Sequence, residues 1–393
     1  MSQLAPDGGW TIVKGGVLVY VGMAADDESS AGSGESSEQS SASAATGSTA
    51  EGEPVPLGVK MGSTRTVVTR RADGDVESIQ DLTCLVSYDD AITGEEHVIF
   101  GNDAATEYPE RVRYMLRTGL PTDEDSTEMA KTYLGEFIAA NDLPHNSVVV
   151  YALPSIDNDA GLERFEEAIE NTKIGGRQIR SYPETLCGSV PALGDGLEAI
   201  NETFIGVNLG STNLEVSAFR NGEQLVPFST GAVTGADVDR RIANYIEEET
   251  QGRVNIDLTT AREYKEEHAD FEGYEAFSDT IQQPGGGAYE FTIEDSIVDA
   301  VDEYVDEVVE EFANVFMPAF DQEHMKIRQR ALRNPIVLTG GMACIPGIAE
   351  EFADRVSVEL GIDVSAVTPD APDTAAAEGA YRIAERIVEL GNY

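Results

Sequence analysis

The stretch "LGVKMGSTRTVV", residues 57–68, occurs a second time in related form as "IGVNLGSTNLEV", residues 205–216. In both copies an apolar run leads into a Gly-Ser-Thr turn and a second apolar run follows, which is typical of two strands joined by a tight turn. Such a turn presents backbone N–H groups and hydroxyls in a concave arrangement that suits phosphate oxygens. One copy alone is typical of a plain hairpin, whereas two matching copies predict turns that grip a polyphosphate from both sides.

The surface chemistry is dominated by acidic side chains. The 393 residues include 72 acidic and 26 basic ones, giving a formal net charge of −46, and the acids occur throughout the chain. At molar salt the Debye length falls to about 3 Å, so the repulsion of such a surface is screened. The composition favours a high-salt cytoplasm and argues against nucleic acid or an anionic membrane as a direct partner.

Metal and membrane signals are weak. The three cysteines, Cys84, Cys187 and Cys344, lie far apart and the four histidines lack ligand spacing, which favours a reducing interior and predicts no protein-built metal site. No apolar run reaches the roughly 18 residues that a membrane span needs. The stretch "WTIVKGGVLVYVGM", residues 10–23, is a small hairpin, a surface anchor or spurious sequence before a start at Met23, and the sequence leaves these alternatives open.

A polar tail precedes a strand-and-helix pattern. Residues 26–53 contain no large apolar side chain, so a flexible acidic tail is predicted over residues 1–53. Alternating patterns predict strands at 57–62, 64–71, 76–82, 147–155 and 176–184, helices over 126–142 and 160–172, and a second strand–turn–strand unit over 203–231.

A third motif lies near the C-terminus. In "NPIVLTGGMACIPG", residues 334–347, a buried strand is predicted to run into Gly340-Gly341 and then into a helix. Paired glycines let a flat ring approach the backbone without a Cβ in the way. The alternative is a strand-to-helix loop that needs positive φ angles.

Together these motifs resemble the actin, Hsp70 and sugar-kinase ATPase superfamily. The resemblance implies an α/β actin-like ATPase fold of two lobes, each with a ribonuclease-H-like mixed sheet flanked by helices, and a nucleotide cleft between them. The motifs follow the family's order: first phosphate loop 57–68, connecting segment "SYPETLCGSVPA" 181–192, second phosphate loop 204–217, adenosine motif "VLTGGMACIPG" 337–347 and connecting segment "DTAAAEGAYRIA" 373–384.

The duplicated unit and the resemblance divide the chain into two lobes. Lobe I is expected over residues 54–200, with a small subdomain inserted within about 85–125. Lobe II is expected over residues 201–393, with a helical subdomain inserted at about 233–333.

The resemblance implies that ATP or GTP binds in the cleft with Mg²⁺. Lys265, in a stretch similar to the family's helix beside adenine, is alternatively an exposed helix lysine. The residues assigned to the nucleotide are Lys60, Gly62, Ser63, Thr64, Gly210, Ser211, Thr212, Gly235, Lys265, Gly340, Gly341 and Met342.

Two positions depart from the family pattern. Family members usually have aspartate where this chain has Lys60 and Asn208, and those carboxylates hold water molecules around Mg²⁺. Lys60 is expected to lie against the β- or γ-phosphate as a point charge. Asn208 can hydrogen-bond a water but cannot accept a proton from it. We therefore expect nucleotide binding to persist and hydrolysis to be slow; the alternative is a decayed site that is kept for packing or assembly.

Glu184 and Asn208 are the catalytic candidates. Glu184 follows Pro183, as the catalytic glutamate does in segregation actins, whereas the Hsp70 pattern would put Tyr182 in that place. A solvated glutamate at a strand end is the alternative. Glu215 is expected to support the second turn.

The chain is most similar to the actin and MreB-like branch, and above all to a haloarchaeal actin homologue. No chaperone domain follows the last helix, and no substrate aspartate of a sugar kinase is recognisable. The predicted function is a nucleotide-binding cytoskeletal protein that polymerises head to tail in a high-salt cytoplasm. Self-association is the expected partner interaction, and adaptor proteins remain open. The alternatives are a non-polymerising Hsp70-like ATPase or regulatory module, and a small-molecule kinase.

Overall fold

The computed structural model describes residues 9–13, 17–21, 52–117, 119–156, 158–194, 196–282 and 287–393, the first two ranges by their backbone alone. Most of the predicted flexible tail over 1–53 lies outside the described residues, but residues 9–13 and 17–21 within it form strands. Within the described residues, no helix combines the length and apolarity needed to cross a bilayer. In chain order the strands are β1 Gly9–Val13, β2 Val17–Val21, β3 Val55–Met61, β4 Arg65–Ala72, β5 Asp75–Leu82, β6 Cys84–Asp89, β7 Glu96–Phe100, β8 Arg113–Tyr114, β9 Ser147–Leu153, β10 Gln178–Pro183, β11 Thr203–Leu209, β12 Leu214–Arg220, β13 Glu223–Thr230, β14 Phe277–Gln282, β15 Ala288–Ile293, β16 Ile336–Thr339 and β17 Ala366–Val367.

Helices cover both faces of the larger sheets. They are α1 Gly101–Glu107, α2 Glu124–Ala140, α3 Asp159–Glu170, α4 Glu184–Ser189, α5 Gly235–Glu249, α6 Leu258–His268, α7 Ser296–Glu311, α8 Met317–Ala331, α9 Ile348–Leu360 and α10 Ala375–Glu389. A π-helical segment, Phe312–Phe316, joins α7 to α8 without a break in the helix.

The two sheets that carry the duplicated units are mixed. The first has the strand order β1-β2-β10-β9-β3-β4-β5, and the second has the order β13-β12-β11-β16-β17. The hairpin of β1 and β2 is one of the three alternatives for the opening stretch, and β2 pairs with β10. Strands β9, β11 and β16 are buried along their whole length, as expected for strands covered on both faces.

The duplicated stretches fold alike and occupy equivalent places. In the first, β3 pairs antiparallel with β4 and parallel with β9, so that Lys60 lies beside Ala152. In the second, β11 pairs antiparallel with β12 and parallel with β16, so that Asn208 lies beside Thr339. Since Lys60 and Asn208 each lie two positions before the glycine of a Gly-Ser-Thr turn, both sheets present the same strand end to the space between them.

Tight hairpins set the register of the outer strands. Asp73 and Gly74 have φ angles of 53° and 99° between β4 and β5, and Asn221 and Gly222 have φ angles of 52° and 73° between β12 and β13. Positive φ at both turn positions suits the right-handed twist of hairpin strands, and Asp-Gly and Asn-Gly are the residue pairs that adopt it most readily. The residue pairs at these two turns therefore account for both hairpins.

Two smaller sheets accompany the main ones. The sheet β7-β6-β8 lies near the first unit, and the two-stranded sheet β14-β15 lies near the helices that follow the second. We propose that these are the inserted subdomains. The last helix, α10, returns to pack on β3 and β9, so we propose that lobe I also includes the C-terminal segment.

Glycines allow α10 to lie directly on the first sheet. A Cβ at Gly58 in β3 would collide with the backbone of Ala377 and Tyr381 in α10. A Cβ at Gly379 in α10 would in turn collide with the backbone of Cys187 in α4. The obstacles are backbone atoms, so they cannot move aside as a side chain end would. Helix α10 therefore fixes the sheet to the segment that carries Glu184.

We predict that Gly58→Ala lowers the free energy of unfolding by about 1 to 3 kcal/mol or more, because the added methyl group overpacks a backbone contact. Gly135→Ala is the matched control, because Gly135 is an exposed position of α2 with no atom within 4 Å of an added Cβ. The control is expected to gain up to about 1 kcal/mol from helix propensity. Chemical unfolding in molar KCl measures both variants, and equal stabilities would refute the close packing of α10.

Candidate nucleotide-binding site

A cleft between the two sheets encloses about 890 Å³, part of it open to solvent. Both halves of the chain contribute to its wall. Of the residues predicted for the site, all except Gly340 lie on this wall: Lys60, Gly62, Ser63, Thr64, Glu184, Asn208, Gly210, Ser211, Thr212, Gly235, Lys265, Gly341 and Met342.

The two Gly-Ser-Thr turns touch each other across the cleft. The Ser63 and Thr212 hydroxyl oxygens are 2.7 Å apart, and the Thr64 hydroxyl donates to the Ser211 hydroxyl at 2.7 Å. The resulting pair of hydrogen bonds is nearly symmetric, as the duplication predicts. A phosphate chain that enters between the turns has to replace both bonds with bonds to its own oxygens.

A largely buried ion pair lies behind the turns, with the Lys60 side chain 15% exposed. The Lys60 ammonium is 2.9 Å from Glu184 Oε1, and the Asn208 amide donates to the same oxygen at 3.1 Å. Burial alone would lower the pKa of Lys60, but the adjacent Glu184 carboxylate outweighs this and raises the pKa above its usual range. Lys60 is therefore a permanent cation. Glu184 is buried, with a relative exposure of 7%, which excludes the solvated alternative.

Glu215 joins the turn of one lobe to the backbone of the other. Its carboxylate accepts from the Ser155 backbone N–H at 2.8 Å and from the Asn213 side chain at 2.7 Å. Full burial, followed by the nearby Glu184 charge, raises the pKa of Glu215 to about 8. The contact with Asn213 agrees with the expectation that Glu215 supports the second turn. The bond to Ser155 adds a contact between the lobes.

Lys265 is buried and not an exposed helix lysine. Its ammonium pairs with Asp239 and donates to the Gly235 backbone carbonyl at 3.3 Å. Arg262 lies 3.6 Å from the second Asp239 oxygen. These contacts fix α6 to the start of α5, and they keep a compensated positive charge on the cleft wall.

The two glycines of the adenosine motif, Gly340 and Gly341, have different surroundings. Gly340 has a φ of 90°, and a Cβ there would lie 2.6 Å from Asn208 Oδ1, so this glycine packs behind the wall. Gly341 has no atom within 4 Å of an added Cβ, and it lines the cleft together with Met342. The structure thus places Gly340 against the strand that precedes the second Gly-Ser-Thr turn, and not on the cleft wall.

Sequence patterns missed several charged residues of the wall. Arg65 directly follows the first turn and pairs with Glu266 of α6 at 2.8 Å. Asp239, Arg262 and Asp373 also line the cleft. The position of Arg65 beside Thr64 was a usable signal. The acids that complete these pairs lie in stretches rich in other acids, and no sequence pattern distinguishes them from their neighbours.

The cleft does not fit a metal ion held by protein ligands. Among the described residues, no group of three acidic, histidine or cysteine side chains is arranged around a common point. Glu184, at the base of the turns, shares an oxygen between Lys60 and Asn208, and the nearby Glu215 is held by Ser155 and Asn213. An ammonium group in that place repels a divalent cation. The Mg²⁺ that the resemblance implies finds no first ligand here.

The fold defines an actin-like protein. Similar solved structures include MreB5 of Spiroplasma citri bound to ADP, with a TM-score of 0.68 and 17% identity over 86% of this chain and 98% of that chain. The MamK double helical filament has a TM-score of 0.65 and 18% identity over 84% of this chain and 98% of that chain. Both likenesses concern the fold, and they confirm the predicted α/β actin-like fold.

The chain belongs to the Salactin family, whose pattern matches residues 54–388. Salactin of Halobacterium salinarum is 64% identical to it over 342 residues, which is 87% of this chain and 94% of that protein. The predicted resemblance to a haloarchaeal actin homologue is confirmed, and the protein is an actin-like cytoskeletal protein.

The raised pKa of Glu215 predicts how the stability of the protein depends on pH. This pKa is about 8 in the folded protein and 4.5 ordinarily, so the folded state holds one more proton between these values. Stability from this group is present below about pH 4.5 and is lost as the pH rises towards 8, with a slope of up to about 1.4 kcal/mol per pH unit. We predict that Glu215→Gln removes this slope.

Unfolding of the wild type, Glu215→Gln and the exposed control Glu136→Gln across this pH range measures the effect. The stability of Glu215→Gln relative to the wild type should increase as the pH rises, and that of the control should not change. A constant difference between Glu215→Gln and the wild type would show that Glu215 is ionised throughout.

Proposed function

We propose that this protein binds ATP or GTP in the cleft and polymerises head to tail into cytoskeletal filaments. The observation that carries the proposal is the pair of duplicated Gly-Ser-Thr turns meeting across one cleft. Relatives of the same fold support it, since MreB5 has been solved with ADP and with AMPPNP, and MamK as a double helical filament.

Nucleotide binding and lobe position are linked through the turns. In the structure the hydroxyls of Ser63 and Thr64 are satisfied by those of Thr212 and Ser211. Phosphate oxygens between the turns would accept from all four hydroxyls and from nearby backbone N–H groups. The nucleotide then sets the distance between the lobes, and a ligand that favours one lobe arrangement shifts the population towards it. This gives polymerisation a nucleotide dependence.

Lys60 takes the main electrostatic role at the phosphates. It lies near the end of β3, two positions before Gly62 of the first turn, and Glu184 is its only close ion-pair partner among the described residues. Charge-assisted contacts to phosphate are about twice as strong as neutral ones. Magnesium, where it accompanies the nucleotide, would be held by phosphate oxygens and water, and not by this chain. We therefore propose a binding site with little dependence on Mg²⁺.

Hydrolysis is expected to be slow. Glu184 is the group that would orient a water towards the γ-phosphate, but Lys60 and Asn208 hold its Oε1 in the structure. A phosphate that attracts Lys60 would weaken this hold and leave the carboxylate freer to bind a water. Asn208 cannot act as a base in place of the usual aspartate. Positioning without a strong base is consistent with slow turnover.

We also propose a high-salt cytoplasm as the working environment. The net charge of −46 opposes subunit association at low ionic strength. Molar salt shortens the Debye length to about 3 Å and leaves only contacts at the interface itself. Polymerisation should therefore require salt as well as nucleotide.

Light scattering of the purified protein in a KCl series, with and without ATP or GTP, tests the proposed function. Scattering should rise only when molar KCl and nucleotide are both present, and electron microscopy should show filaments. A protein that binds nucleotide yet stays monomeric in every condition would support the Hsp70-like alternative. Transfer of phosphate to an added sugar would support the kinase alternative.

We predict that the nucleotide affinity of the wild type changes by less than about threefold when excess EDTA replaces Mg²⁺, because Lys60 supplies the positive charge. Lys60→Met should weaken binding about 10- to 100-fold in both conditions, the usual cost of losing a hydrogen bond to a charged group. Lys60→Asp should bind only with Mg²⁺. A fluorescent nucleotide titration in molar KCl measures these affinities.

Two further variants separate the role of Lys60 from its effect on folding. Lys60→Met combined with Glu184→Gln removes both charges of the pair and leaves no buried carboxylate alone. Lys131→Met is the control, because Lys131 pairs with Glu128 and Glu167 on the surface, away from the cleft. A wild type that loses its nucleotide in EDTA would contradict the role given to Lys60.

A further inference from the structure

One segment of this acidic chain is strongly basic. Residues 325–334, "MKIRQRALRN", contain four of the 26 basic residues and no acidic one. They form the end of α8 and the turn after it. Lys326, Arg330 and Arg333 are exposed, and none makes an ion pair or a side-chain hydrogen bond within the part of the chain that the structure describes. Met325 beside them is 71% exposed.

Arginines elsewhere in the described residues are found both with and without a carboxylate partner, and Arg355 is the most extensively paired. Arg355 alone contacts Asp302, Asp306 and Glu351. What sets the end of α8 apart is that three exposed cations without an ion-pair partner in the described part of the chain fall within eight residues of a segment that contains no acid, in a chain with 72 acids. The basic face, defined as Lys326, Arg330 and Arg333, is therefore an electrostatically unsatisfied surface of the folded chain.

The opposite charge lies at the other end of the same helical run. Helix α7, the π-helical segment and α8 form one run from Ser296 to Ala331, bent where His324 leaves helical geometry. At a rise of 1.5 Å per residue, Asp299 and Arg330 are roughly 45 Å apart along a straight run. The acidic end, which surrounds a shallow concavity, consists of Glu248, Glu249, Glu294, Asp295, Asp299, Asp302 and Glu303.

The basic face lies at the end of the second sheet that is opposite the cleft. Asn334, just after α8, donates to the Thr203 carbonyl at the start of β11. The cleft is at the opposite end of that strand, where Asn208 and Gly210 lie. Helix α5 begins beside Gly210 and carries Glu249 at its far end. The basic face and the cleft therefore lie at opposite ends of β11, and Glu249 of the acidic end lies roughly 21 Å from the cleft along α5.

The acidic end is crowded with like charges. Asp299 has a raised pKa because of partial burial and then because of Asp295, Asp302 and Glu303 around it. Cations from another molecule would relieve this repulsion. The basic face carries such cations, but within one subunit it lies too far from the acidic end to contact it.

We propose that the basic face of α8 docks on the acidic end, at the start of α7, of a second copy of this chain, and that this is the head-to-tail contact of the filament. The inference rests on the polymerisation proposed above and specifies its interface. A contact between two unlike surfaces does not close on itself, so each added subunit exposes a new basic face or a new acidic end. Repetition of this contact produces a polar filament, whose two ends differ.

Molar salt does not abolish such a contact. Screening over about 3 Å removes long-range repulsion between subunits but acts less on charges that touch. Complementary charges at an interface mainly set specificity and register, because a wrong pairing brings like charges together. The basic face thus determines the direction of assembly and the salt determines whether subunits approach.

A reciprocal charge exchange tests the proposal by sedimentation and light scattering in molar KCl with nucleotide. Arg330→Glu with Arg333→Glu should raise the critical concentration about tenfold or more, since like charges then meet. Asp295→Lys with Asp299→Lys should do the same. All four substitutions in one chain should restore assembly to within about threefold of the wild type, because the exchanged charges pair again.

Arg117→Glu with Lys173→Glu is the matched control, since both residues are exposed and the change in net charge equals that of the basic-face variant. The control should polymerise as the wild type does, and nucleotide affinity should be unchanged in every variant that is correctly folded. Normal assembly of Arg330→Glu with Arg333→Glu overturns the proposal, as does failure of the fourfold variant to recover.

Two further outcomes distinguish a failure of the proposed function from a failure of this contact alone. A wild type that never polymerises overturns the proposed function together with this contact. A wild type that polymerises while binding anionic vesicles through Arg330 and Arg333, with assembly insensitive to their reversal, assigns the basic face to a lipid surface and overturns the contact alone.

Discussion

The buried pair of Lys60 and Glu184 is the constraint around which the cleft is organised. Taking both charges out of water is costly, and the geometry recovers that cost only because Asn208 donates to the same carboxylate oxygen. Breaking such a pair by removing one partner usually costs about 3 to 5 kcal/mol. The lysine, the glutamate and the amide come from three separate segments, so the pair also fixes the strand ends of both sheets and the first turn of α4.

Duplication explains why these strand ends meet. Each half supplies a strand, a Gly-Ser-Thr turn and a returning strand, and the halves face each other so that Ser63 meets Thr212 and Thr64 meets Ser211. Symmetry of the backbone does not require symmetry of charge. One half carries a cation at the strand end and the other a neutral amide, which leaves the cleft less negative than two aspartates would. A polyphosphate then enters a site that already holds a cation.

Much of the fold could be predicted from local patterns. The turns at 57–68 and 205–216, the Asp-Gly and Asn-Gly hairpins and the order of the motifs depend on residues close together in sequence, and they identified the wall of the cleft. Contacts between distant segments could not be predicted in this way. The pairing of Arg65 with Glu266 and the packing of α10 on Gly58 depend on how the halves approach each other. Prediction from local sequence is limited even within a motif. Of the adjacent glycines, Gly340 packs against the sheet and Gly341 is open, and the sequence does not distinguish them.

The distribution of cations connects the cleft to assembly. A chain with 26 basic and 72 acidic residues has few positive charges to place, and their positions are informative for that reason. Lys265 is buried and Lys60 is largely buried in the cleft, and Arg355 links α9 to α7. The basic face of α8 stays free on the outside. Since general repulsion is screened only at high salt, attraction between subunits has to come from contacts where opposite charges touch. An unsatisfied basic face at one end of a helical run and a crowded acidic end at the other provide that attraction in a single direction.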